Sequence, residues 1–118
     1  MNQVQGNLNS LLQGNFNSLA GNQNLITSGN SNQIAGNFNQ IVAGNSNSLQ
    51  GDWNKILGGN NFLQGFNNDI NGFNNALSGN NNQLTANSNS NAILGDQNTI
   101  NGSKNEIKGQ INQIIKGN

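Results

Sequence analysis

The sequence predicts an all-β chain: a β-solenoid of about eight coils of about 14–15 residues, with two short parallel sheets and inner ladders of Asn and Leu/Ile. Three observations carry the prediction. A template, Gly-Asn-x-Asn-x-(Leu/Ile/Val)-x, can be laid along the whole chain of 118 residues. Its fourth and sixth places are two residues apart, so in an extended segment both side chains point to the same side. Glycine returns once per unit, where a helix would lose about 1 kcal/mol each time. No i, i+3, i+4 apolar stripe exists to offset that loss.

The units follow one another without a break. The fourth place is Asn at positions 2, 9, 17, 24, 32, 39, 47, 54, 61, 68, 75, 82, 91, 98, 105 and 112. The sixth is aliphatic at Val4, Leu11, Leu19, Ile26, Ile34, Ile41, Leu49, Ile56, Leu63, Ile70, Leu77, Leu84, Ile93, Ile100, Ile107 and Ile114. A disordered Asn-rich tract has no reason to hold such a phase. Units of eight and seven residues alternate through the first half, and from Gly65 the length relaxes towards seven. Unit 59–64 (GNNFLQ) reads as one residue short. Unit 86–94 (ANSNSNAIL) reads as two long, a bulge with Ala86 in the place of Gly. Each unit is a short strand plus a turn. Gly supplies the φ > 0 or tight-corner positions between segments, and the Asn beside it tolerates αL.

Two units close one coil, and stacking at about 4.8 Å per coil gives a rod of roughly 40 Å. No coil buries its own inner face, so the stack folds as a whole. The expected inner ladder comprises Asn9, Asn17, Asn24, Asn32, Asn39, Asn47, Asn54, Asn68, Asn75, Asn82, Asn98, Asn105 and Asn112. Each buried Leu or Ile contributes roughly 1.5–3 kcal/mol, whereas an unpaired buried amide costs a few kcal/mol. Every inner Asn must therefore bond either the Asn above and below it or the turn backbone.

Composition excludes much chemistry. There is no His or Cys, and the carboxylates Asp52, Asp69, Asp96 and Glu106 are scattered, so no acid–base pair or nucleophile with a base is expected, and no enzyme. A calcium-binding roll would need Asp recurring at the turns; only Asp52 and Asp96 take the second place, so neither metal nor cofactor is expected. Net charge is zero with only 7% charged residues, which leaves no footprint for nucleic acid. No apolar run exceeds three residues, so membrane insertion is not expected. The chain is read as the mature form of an extracellular protein. Asn101-Gly102-Ser103 fits a glycosylation acceptor.

The outward places are less regular. On the longer units they read Leu8, Gln23, Phe38, Trp53 and Leu12, Thr27, Val42, Leu57. Leu8, Leu12, Phe38, Val42, Trp53 and Leu57 form a candidate interaction face, because contiguous exposed apolar surface marks contact sites. The ends suggest another contact. The final Gly117-Asn118 followed by the opening MNQVQ spells one further unit, so head-to-tail stacking would bring Met1, Asn2 and Val4 against Ile114, Gly117 and Asn118. A heterologous contact without closure gives a filament.

The motif Asn-x-(aliphatic)-x-Gly at this spacing, seen in NSLAG (17–21), NQIAG (32–36), NSLQG (47–51), NALSG (75–79) and NEIKG (105–109), resembles the xxNxVxG repeat of the grass ice-binding, or ice-recrystallisation-inhibition, proteins. The resemblance covers essentially the whole chain. It implies a β-roll with inner Asn and aliphatic ladders, and a flat outer face rich in Thr and Ser that binds ice. Here only Thr27, Thr85 and Thr99 are threonines. Two functions are therefore expected. The first is a structural protein that polymerises with itself head to tail into fibres. The second is an ice-binding protein whose partner is the ice surface.

Overall fold

The computed structural model describes residues 1–117, with side chains described as far as Ile115. Among these residues every strand is short and parallel to its neighbours. One sheet, the odd sheet, stacks β1 (Gln3–Gln5), β3 (Ser18–Ala20), β5 (Gln33–Ala35), β7 (Ser48–Gln50), β9 (Phe62–Gln64), β11 (Ala76–Ser78), β13 (Ala92–Leu94) and β15 (Glu106–Lys108). The other, the even sheet, stacks β2 (Ser10–Gln13), β4 (Leu25–Ser28), β6 (Gln40–Ala43), β8 (Lys55–Leu57), β10 (Asp69–Asn71), β12 (Gln83–Leu84), β14 (Thr99–Gly102) and β16 (Gln113–Gly117). The expected β-solenoid of eight coils is what the chain forms, and its long dimension is 38 Å.

The core is the set of sixth-place residues other than Val4, which the end coil leaves 52% exposed. Those from Leu19 to Ile107 are buried in one cluster, and Leu11 and Ile114 pack against it from the two ends. Beside them lie the inner Asn residues. From Asn17 to Asn98 they are buried, while Asn9, Asn105 and Asn112 are half-buried in the outer coils. Asn61 and Asn91 join the same ladders, linking Asn47 to Asn75 and Asn75 to Asn105. Asn2 joins as well, its Oδ1 accepting the Asn17 N–H at 2.9 Å. No buried side-chain nitrogen or oxygen among the described residues lacks a partner.

The corners differ from expectation in one respect. The αL residue is the third of the unit, not the Asn at the second place: Leu8, Phe16, Phe38, Trp53 and Ile111 all have φ between 57° and 62°. This bend sends the N–H of the third and fourth residues back to the preceding coil, as at Phe38 to the Asn22 carbonyl and Asn39 to Asn24 Oδ1. The second residue is thereby free to point its N–H and side chain forward, towards the next coil.

Two unit boundaries also move. Gly58 has φ 128° and takes the corner, so the unit is 58–64, seven residues long rather than one short. The preceding unit, 51–57, is likewise seven. In the long unit it is Ser88, not Ala86, whose carbonyl occupies the glycine position, accepting the Asn75 amide at 2.6 Å. The Ser88 hydroxyl donates to the Ile100 carbonyl at 3.0 Å, and Ala86 and Asn87 make the extra turn.

Candidate functional site

With the inner face filled, recognition falls to the two outer faces. In the odd sheet every neighbouring pair keeps an unshifted register from β1 to β15. Two outward columns result. One runs Gln3, Ser18, Gln33, Ser48, Phe62, Ala76, Ala92, Glu106; the other runs Gln5, Ala20, Ala35, Gln50, Gln64, Ser78, Leu94, Lys108. The columns hold no charge before the seventh coil is passed. Only Glu106 and Lys108 follow, and they neutralise each other at 2.8 Å. Over Ala76 and Ala92, between Phe62 and Leu94, the face dips into an apolar depression of ≈ 180 Å³.

The even sheet is less regular. Its first three units carry an extra residue, so Leu11 is followed by both Leu12 and Gln13 before the corner. Register shifts occur between Ile41 and Ala43 and between Asn101 and Gly102. Lys55 and Asp69 stand in register on adjacent strands at its centre. All three threonines lie on this side: Thr27 in β4, Thr85 just after β12, and Thr99 in β14.

The apolar residues singled out from sequence fall along both margins of the even sheet. Leu8, Phe38 and Trp53 occupy corners at its entry. Leu12, Val42 and Leu57 lie at its exit, with Ser10, Leu25, Gln40 and Lys55 between the two columns. Leu8 and Leu12 are 78% and 69% exposed, whereas Val42 is half-buried. The Phe38 and Trp53 rings stack at 4.2 Å and 8°. Further exposed apolar residues are Met1, Val4, Phe16, Phe62, Phe66, Phe73, Leu94, Ile111 and Ile115. Ile111 and Ile115 continue the two margins into the last described coil, a placement legible from the same template.

Of the end residues, Val4 pairs with Leu19 and Ile114 with Ile100. Gly117 pairs with Gly102, and Asn118 lies outside the described residues.

A second Asn ladder runs along the exposed corners. The Asn7 N–H donates to Asn22 Oδ1 at 3.0 Å, Asn22 to Asn37 Oδ1 at 3.0 Å, and Asn37 to Asp52 Oδ1 at 2.7 Å. Its bonds run towards later coils, whereas the inner ladders run towards earlier ones. At the next second place, Phe66 supplies no acceptor.

Among models of known families, residues 4–100 match the one described as the grass antifreeze beta roll. No curated protein matches the chain.

Proposed function

The chain belongs to the grass antifreeze β-roll family, and from that premise we propose that it binds ice through the outer face of the odd sheet. The observation that carries this reading is the match across residues 4–100, which favours ice over the head-to-tail fibre. The choice of face is physical. Ice is a flat, periodic partner, so a face of unshifted register presents more groups at matched spacing than a bulged one. A fixed charge holds its hydration shell at a cost of several kcal/mol to strip. The odd sheet is uncharged through Leu94, while the even sheet carries Lys55 and Asp69 at its centre. Threonine content points the other way, but no array forms: Thr27 stands four coils from Thr85, and Thr85 and Thr99, though in neighbouring coils, occupy different outward columns. Extracellular action fits this reading, since an ice binder acts where ice grows.

Ice-recrystallisation inhibition tests the reading directly. Ala35→Lys, on the third strand of the odd face and within its uncharged stretch, is expected to raise the concentration needed by about tenfold, since a lone charge holds ordered water. Gln83→Lys, on the even face, should leave it unchanged. Wild-type protein without effect on ice, or the two variants losing activity equally, would overturn it.

A further inference from the structure

The outer face of the even sheet is laid out as its own complement. Its eight strands run from β2 at one end to β16 at the other, so the midpoint falls between β8 and β10. Lys55 and Asp69 flank that midpoint in register. They are the only charges among the described outward residues of these strands. At the two ends stand exposed apolar pairs, Leu8 with Leu12 and Ile111 with Ile115.

We propose that this face is the contact surface for a second copy of the chain, packed antiparallel to the first. A two-fold axis lying in the contact plane and parallel to the strands sets β8 of one copy over β10 of the other, and β2 over β16. Lys55 then faces the second copy's Asp69, and the reciprocal pair forms by symmetry. Leu8 meets the second copy's Ile111, and Leu12 meets its Ile115. A two-fold along the rod instead sets one outward column over the other and covers Lys55 with the second copy's Leu57. That buries an unpaired charge, which is strongly unfavourable.

Backbone geometry supports the same surface. Of the five bulky apolar residues described in αL, a conformation such side chains adopt only at a cost, Leu8, Phe38, Trp53 and Ile111 stand at corners of the even sheet and Phe16 at one of the odd sheet. Asn67 and Asn81 fill the same corner place in the coils between, where αL is cheap for Asn. Nothing in the core repays Leu8 or Ile111, which are 78% and 75% exposed. A face of 38 by 20 Å offers roughly 700 Å² per copy, near the ~800 Å² a side of a standard interface. The odd sheets of both copies face outwards, so the pairing does not depend on ice binding.

Sedimentation equilibrium across about 1 to 500 μM tests it, a range suited to a modest interface. Wild-type protein should pass from 12.4 kDa to twice that mass and go no further. Lys55→Asp and Asp69→Lys, each placing like charges opposite one another, should each weaken the dimer about tenfold or more. Mixed one to one, the two variants should recover a heterodimer, because every facing pair is again opposite in charge. A wild-type chain that stays monomeric or grows beyond a dimer overturns the proposal. So do single variants that pair as wild type does, or a mixture that remains monomeric.

Discussion

Asn39 shows what one inner residue does. Its Oδ1 accepts the Asn54 N–H at 3.0 Å and the Asn54 amide at 3.2 Å. Its Nδ2 donates to Asn24 Oδ1 at 3.2 Å and to the Gly51 carbonyl at 2.6 Å. The sequence argument required a partner for each such amide and left neighbour Asn and turn backbone as alternatives. The structure uses both at once, because one amide reaches the coil before through its neighbour and the coil after through the glycine carbonyl. Asn39→Leu therefore strands the Asn54 N–H and the Gly51 carbonyl, each at about 1–3 kcal/mol. The expected loss is about 3–5 kcal/mol, read as a lower urea midpoint; a change below about 1 kcal/mol would contradict the ladder's role. The second ladder through Asn22, Asn37 and Asp52 was not legible. A second-place Asn has the same identity whether it bends the turn or bonds the next coil, and only the αL geometry of its neighbour decides.

At the scale of the corner, glycine answers two demands. Gly36 has φ 136°, and a Cβ built on it would lie 1.9 Å from the Gly51 carbonyl oxygen. Both the conformation and the coil-to-coil approach thus exclude a side chain, so Gly36→Ala should cost more than Asn39→Leu, above about 5 kcal/mol. Thermal unfolding checks the ranking, and a Tm within a few degrees of wild type would contradict it. The corner glycine was readable from its recurrence. Its exact partner in the pair Gly58-Gly59 was not, because adjacent glycines fit the template equally and only φ separates them. Nor could composition reveal that Phe16 or Trp53 would bear the left-handed bend. Their side chains argue against it, and the requirement comes from where the N–H groups of the stack must point.

For the whole molecule, electrostatics are nearly silent. The Glu106 carboxyl is held below its ordinary 4.5 by the hydrogen bond and charge of Lys108, and Lys108 is raised above 10.5 by the same partner. A depressed carboxyl stabilises above its unfolded value and loses that as pH falls through the folded one. A raised ammonium stabilises below its unfolded value and loses that as pH rises through the folded one. The pair thus acts fully between 4.5 and 10.5, and being exposed it contributes little. The melting temperature should be flat from about pH 5 to about pH 9, and a steep slope in calorimetry across that range would contradict this. What the sequence determined by itself was periodic: the inner Asn places, the inner aliphatic places from Leu11 to Ile114, the two sheets, and a rod of roughly 40 Å, which the structure makes 38 Å long, all follow from a repeat in which inward side chains recur at fixed spacing. What only the tertiary structure decided lies outside that repeat. Flatness of the odd sheet, bulging of the even one, and the meeting of Lys55 with Asp69 across the centre depend on register between coils. Register is set by hydrogen bonds between residues about one coil apart, and no single unit carries that information.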